Sequence, residues 1–335
     1  MELRAPGKKD ETLAPVLPSA ALRDDYERRL KKAVANMTAS YEYWIRSKYV
    51  KAVDANQDAG RLPDMAMDAV KGDGVKARTN ALFSELTRLR TYWTKYFDDF
   101  AAKLAFQATQ AWYDQNVSTW NARIKRAGFD VKMDLTPSQK LILDTKVKEN
   151  VSLIKSIQSQ YHTDIEGIVS RNFLAGRDLA PMAEQIKKRG DVSTRRAALI
   201  ARDQSNKATA QMNDARQREL GIKYAYWVHS SAGKEPREKH VRAGREQWVF
   251  RVGEGIDFND GMGTVLPGEA INCRCTCRTI IPALGRGDVK DERDLEPVPG
   301  YPGAYRAKKG VAVGKKTGID VVDTRSPKGS PVKYS

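Results

Sequence analysis

Apolar residues recur at three- and four-residue intervals along the first third of the chain, beginning with Leu22, Tyr26, Leu30, Val34 and Met37. That spacing predicts a helix with one buried stripe. After a polar break over 54–64 the period resumes with Leu82, Leu86, Leu89, Tyr92, Trp93, Tyr96 and Phe100, and continues through Leu104, Phe106, Ala111 and Trp112 to Trp120. An aromatic stripe at this spacing reads as core or helix-hairpin seam rather than a platform for stacking bases. Arg88 and Arg90, flanking Leu89, are the residues that would argue for DNA there. Thr136-Pro137-Ser138-Gln139 has capping-box form with proline at the first helical position, and Leu143, Val147, Val151, Ile154, Tyr161, Ile165 and Ile168 then share one face. Gly176 is expected to close that helix. A short helix follows, with Leu179, Met182 and Ile186 inward and Gly190 at its exit. Ser193 caps the next, in which Ala197, Ile200, Ala201, Ala208, Met212 and Ala215 face inward until Leu220-Gly221 stops it.

Beyond Gly221 the period shortens to two. Ile222, Tyr224, Tyr226 and Val228 alternate with Lys223, Ala225 and Trp227, which predicts a strand. Residues 247–252 read as a second strand, the glycine-rich stretch 253–268 as a loop, and 270–282 as a third strand with Cys273, Cys275 and Cys277 on one face. The fold class is therefore α+β: a mainly α-helical N-terminal part, then a small antiparallel strand module, then a disordered basic tail. In sequence these divide as a flexible lead-in over 1–20, a helical region over 21–135, the module with its preceding helices over 136–284, and the tail over 285–335.

Charge narrows the partners. Among 335 residues, 58 are Lys or Arg and 42 are Asp or Glu, a formal net charge of +16. An excess of this size favours anionic partners, nucleic acid first. In the tail, Lys308, Lys309, Lys315, Lys316, Arg325 and Lys328 punctuate a Gly/Pro/Val background. They suit sequence-blind, salt-sensitive contact with the phosphates of double-stranded DNA. No window approaches the ~18 consecutive apolar residues of a membrane span, so no membrane partner is expected. The polar N-terminus does not read as a signal peptide, and three crowded cysteines do not make a disulfide framework. Reduced thiols in a bacterial cytoplasm are the expectation.

Rare residue types crowd one stretch. All three cysteines lie within 273–277, and two of the three histidines, His229 and His240, lie shortly upstream. Cys273, Cys275, Cys277 and His240 are competent zinc ligands, and a closed structural site needs four. The alternative is that the cysteines pack as small apolar residues on the inner face of their strand. A cysteine with His240 or His229, oriented by Glu235, has the residue types of a nucleophilic site. The competing role is bracing, with Arg237 and His240 bonding backbone carbonyls of the glycine-rich loop. Bracing is the reading adopted here: no catalytic residue and no required cofactor is assigned. Phosphate-cradling and dinucleotide glycine motifs are absent from the sequence.

The ordered series Trp227, Arg237-x-x-His240, Gly244, Pro267-Gly268 and Asn272-Cys273-Arg274-Cys275 resembles the Mu F-like family of phage minor head proteins. Ala198–Asp203 and Asn206–Ala208 look like that family's helix before the tryptophan strand. The resemblance covers roughly residues 137–282. Many members carry an aspartate shortly after the tryptophan, where this chain reads Ser230 to Glu235. The resemblance implies a non-enzymatic head-morphogenesis protein of a tailed phage or prophage, housed in the virion. Its implied partners are the portal and other procapsid proteins and the packaged DNA. The alternatives are a metal- or cysteine-dependent enzyme built on the His/Cys residues, and a general DNA-binding protein.

Overall fold

The computed structural model describes residues 13–58, 73–128, 135–174, 179–231, 235–281 and 289–308. Four long helices come first: α1 (Ala20–Asp58), α2 (Asp73–Arg126), α3 (Pro137–Leu174) and α4 (Leu179–Glu219). The strands β1 (Tyr224–Val228), β2 (Val249–Arg251), β3 (Ile256–Asp257), β4 (Thr264–Val265), β5 (Thr276–Thr279), β6 (Leu295–Pro297) and β7 (Tyr305–Ala307) follow, with α5 (Glu238–Arg245) between β1 and β2. The α+β class holds. The chain divides into two compact units, each drawn from separate stretches of sequence. One comprises Met1–Asp24, Gln107–Lys146 and Arg202–Ser335; the other comprises Asp25–Phe106 and Val147–Ala201.

Among the described residues, the second of these units is entirely helical. Tyr26, Leu30, Val34 and Met37 of α1 are buried as their spacing requires, as are Leu82, Leu86, Leu89, Trp93 and Phe97 of α2 and Ile154, Tyr161 and Ile165 of α3. Two members of the expected stripe face outward instead: Tyr92 is 55% and Phe106 60% exposed. An arc of every third or fourth residue cannot also hold their immediate neighbours Trp93 and Ala105. Two buried polar pairs join helices in this unit, Tyr26 Oη donating to Asn150 Oδ1 at 2.8 Å and Tyr41 Oη lying 2.8 Å from His162 Nδ1.

The break expected at Gly190 does not occur: α4 runs through it. A Cβ there would meet Thr38 Cγ2 at 2.7 Å, so this glycine lets α1 and α4 approach rather than ending a helix. Ser193 is buried inside the helix instead of capping it, and Thr194 Oγ1 donates back to the Gly190 carbonyl at 3.0 Å. Gly176, the expected end of α3, lies outside the described residues. At the start of α3 the expected capping box is formed, Gln139 N–H donating to Thr136 Oγ1 at 3.3 Å and Thr136 N–H to Gln139 Oε1 at 3.4 Å. Gly221, with φ +70°, closes α4. Ile222 N–H there reaches the Gln217 carbonyl at 2.9 Å and Gly221 N–H the Arg218 carbonyl at 3.0 Å, a Schellman stop.

The other unit holds all the strands. Its main sheet has the order β5-β1-β2-β7-β6 and is antiparallel throughout, while β3 and β4 form a separate hairpin. Trp227 pairs with Cys277, and Tyr226 with both Val249 and Arg278. β1 alternates as predicted, but both of its faces are covered. Ala225 and Trp227 join Trp248, Phe250, Phe258, Cys273 and Cys275 on one side, and Tyr224 and Tyr226 join Val249, Ile280, Val289 and Leu295 on the other.

Three expected boundaries move. The third strand is shorter than 270–282, because Cys273 and Cys275 lie in the turn before β5. Part of the lead-in is packed: Leu13 and Val16 are buried against Trp120, Ile124 and Ile281, and Leu13 bridges Thr279. Residues 289–308, expected in the tail, continue the sheet as β6 and β7, with Val289, Leu295, Val298 and Ala304 in the core. Few apolar residues suffice there, since the strands are short and Asp291 caps the 3-10 turn between them and the preceding chain.

Candidate functional site: a clamped His/Cys turn

Seven residues, 267–273, form a turn leading into β5, and the end of α4 holds it with polar side chains. Asp203 accepts from Asn272 N–H at 3.2 Å and from Lys207 Nζ at 2.8 Å. Asn206 Nδ2 donates to the Cys273 carbonyl at 2.8 Å. From the opposite side of the sequence, Arg237 Nη2 donates to the Ile271 carbonyl at 3.0 Å. Glu269 accepts from Leu266 N–H at 3.0 Å and from Gln211 Nε2 at 3.2 Å. The turn demands its own residue types. Asn272 has φ 59°, a left-handed conformation that asparagine tolerates. Gly268 has φ +96° and lies so close to the residues just before β5 that a Cβ would stand 3.0 Å from the Cys275 carbonyl.

Inside this turn three side chains converge. His240 Nδ1 lies 3.5 Å from Cys273 Sγ and 3.8 Å from Cys275 Sγ. All three are buried, and their donor atoms lie within 4.8 Å of one another. The imidazole is walled by Trp227 and Phe258, whose ring centroids are 5.1 and 4.3 Å away. His240 Nε2 is buried without a hydrogen-bond partner among the described residues. A hydrogen bond from the Cys275 thiol, helped by His240, pulls the Cys273 pKa down against its burial, and the same bond pushes Cys275 up.

The remaining sequence candidates separate. Cys277 is not in the trio: it accepts from Gln217 Nε2 at 3.3 Å, and burial pushes its thiol up to about 11. His229 turns its Nδ1 to Ser231 N–H at 3.2 Å, and burial pushes its pKa down against the pull of Cys273. Gly244 is where a Cβ would strike His229, at 2.5 Å from its Cβ and 2.8 Å from its backbone nitrogen. Arg237 braces a carbonyl, but that of Ile271 in the turn and not one in the glycine-rich loop 253–268; His240 braces none, its polar contacts being sulfurs. Pro267 is buried, Arg274 half-buried, and Glu235 exposed. Of the basic tail candidates Lys308 is exposed, its N–H bound to the Asp294 carbonyl at 2.9 Å. Lys309, Lys315, Lys316, Arg325 and Lys328 lie outside the described residues.

The roles of Asp203 and Asn206 as clamps, and of Asn213 and Asp214 altogether, are not apparent from the sequence. Asn213 Oδ1 accepts from Asn116 Nδ2 at 2.8 Å and Trp120 Nε1 at 2.9 Å, and its Nδ2 donates to the Val16 carbonyl at 3.0 Å. Asp214 accepts from Gly253 N–H at 2.6 Å and Arg218 Nε at 2.9 Å, while burial pushes its carboxyl up against those bonds. The available signal was a helix segment, 203–217, carrying polar residues on every side instead of one solvated face.

A small antiparallel sheet module, entered by a long polar helix and closed on a buried His/Cys turn, is the class defined by this geometry. Residues 163–278 match the family described as Phage Mu protein F like protein, to which this part of the chain is similar. The match runs from α3 into β5 and includes every member of the Trp227-to-Cys275 series. An uncharacterized protein of Haemophilus influenzae is 36% identical over 126 residues, which are 38% of this chain and 26% of that protein. The chain thus spans about a quarter of that relative's length. No solved structure matches the chain.

Proposed function

We propose that the chain is a minor head protein of a tailed phage or prophage that acts in head morphogenesis as a structural component. One observation carries this reading: the Mu F-like match falls on residues that serve the module's own core and turn. Trp227 and His240 are core, Gly244 and Gly268 permit close backbone approach, and Arg237 and Asn272 shape the turn. A buried nucleophile could not meet a large substrate without opening this core, which supports bracing over turnover. No helix among the described residues is long and apolar enough to cross a membrane.

Under this reading the long helices present the docking surface for portal and other procapsid proteins. Tyr43, Tyr92 and Phe106 supply exposed aromatic area of the kind protein interfaces favour. The positive excess and the basic tail contact double-stranded DNA without sequence preference, inside the head. Mass spectrometry of purified, externally protease-treated heads tests the proposal: the intact chain is expected in few copies. Absence from both procapsids and mature heads would refute it. Retention of salt-sensitive DNA binding in that case would favour a general DNA-binding protein instead.

A further inference from the structure

We propose that His240, Cys273 and Cys275 form a three-ligand site for a thiophilic divalent cation of the zinc type. The distances carry the inference. Zinc bonds of about 2.3 Å to sulfur and 2.0–2.1 Å to nitrogen, in tetrahedral array, place nitrogen and sulfur donors about 3.6 Å apart. The observed separations from Nδ1 are 3.5 and 3.8 Å. Both nitrogen–sulfur separations therefore stand already at the edge lengths of a metal tetrahedron, and the two sulfurs lie within 4.8 Å of each other.

The surroundings fix that geometry. Trp227 and Phe258 hold the imidazole plane, and Nδ1 is the nitrogen turned to the sulfurs. Asn206 on the Cys273 carbonyl and Asp203 on the Asn272 N–H fix the backbone that carries the first sulfur. Outer partners of this kind orient ligands and raise metal affinity. Charge balance suits the buried position. On binding, each thiol gives its proton to solvent, and the two thiolates cancel the ion's two positive charges while His240 stays neutral. Cys277, held by Gln217, takes no part, and His229, engaged with the Ser231 N–H, is not counted. Water fills the fourth position. The proposal stands independently of any role in the head.

Cobalt(II) titration of the reduced full chain tests it. The expected result is one equivalent bound per chain, displaced by zinc, with tetrahedral visible bands and near-ultraviolet charge-transfer intensity of two thiolates. Cys277→Ser is expected to bind as the native chain does. Cys273→Ser, Cys275→Ser and His240→Ala are each expected to weaken binding at least tenfold. Should those variants fail to fold by circular dichroism, the native chain still decides, through its thiolate count and the Cys277→Ser spectrum. No stoichiometric cobalt or zinc, a three-thiolate intensity, or loss of binding in Cys277→Ser would overturn the site.

Discussion

Gly190→Ala separates the two meanings a glycine can have within a long helical stretch. In an exposed helix interior this change stabilises by about 0.8–1 kcal/mol, since alanine restricts the unfolded backbone. Here the new methyl would sit 2.7 Å from Thr38 Cγ2 and 3.0 Å from its Oγ1, well inside van der Waals contact. Overpacking of that kind costs about 1–3 kcal/mol. The clash outweighs the propensity gain, and Gly190→Ala is expected to destabilise by about 0–2 kcal/mol. Removing the obstruction reverses the sign. In a Thr38→Ala background the nearest atom left is Cβ, at 3.4 Å, so the same change at 190 should now stabilise by up to about 1 kcal/mol. Urea unfolding of the four proteins, followed by circular dichroism at the helix band, gives the cycle directly. Coupling of at least about 1 kcal/mol is expected between the two positions. If Gly190→Ala raised the urea midpoint equally in both backgrounds, the α1–α4 approach at this point would be refuted.

Three further outcomes are expected. Glu246 would be raised by burial, yet bonds from Trp248 Nε1 and Arg242 Nε, with Arg306, bring it to about 2 against an ordinary 4.5. A depressed carboxyl stabilises fully above its unfolded pKa and loses that contribution as pH falls from about 4.5 towards 2. The shift caps the effect at about 3 kcal/mol, and with 24% of the side chain exposed about 1 kcal/mol is expected after screening. Glu246→Gln should remove that part of the acid sensitivity in melts between pH 5 and 2.5, and an unchanged pH slope would contradict the carboxylate's role. Gly244→Ala, driving a methyl into the His229 backbone, should cost about 2–3 kcal/mol and lower the melting temperature by several degrees in calorimetry. Asn206→Ala leaves the buried Cys273 carbonyl unpaired and should cost about 1–3 kcal/mol in urea. Asn206→Asp, which sets a carboxylate oxygen against that carbonyl, should cost more at pH 7.

Helical periodicity located α1 to α4 because burial there is one-sided, and the Thr136 box marked its helix start because capping is local chemistry. Gly190 misled for the opposite reason: its role is set by Thr38, about 150 positions away, and local propensity holds no trace of that neighbour. β6 and β7 were missed on similar grounds. Their strands are three residues each and carry little alternation, so only the pairing of β7 with β2 and of β6 with β7 makes them strands. The His/Cys cluster was visible as crowding of rare residues, but its membership was not. A period of two puts Cys273, Cys275 and Cys277 on one face of a continuous strand; the left-handed turn at Asn272 and the late start of β5 divide them. The clamps were hidden because Asp203 and Asn206 look like an ordinary solvated helix surface until the turn is laid against them.

The division of the helices between two compact units bears on synthesis. The unit of Asp25–Phe106 and Val147–Ala201 has every residue it needs once position 201 has been made, so it can close while the rest of the chain is still being translated. The unit with the sheet cannot. Its stretch Gln107–Lys146 must wait through more than fifty intervening residues for Arg202 onward, and the sheet is not complete until β7 at Tyr305–Ala307. Aromatic groups such as Trp120 therefore emerge long before Asn213 exists to receive their hydrogen bonds. That interval is where premature association is to be expected, and a fragment cut to residues 163–278 would have the converse defect, Asn213 without Trp120 and the sheet without β6 and β7.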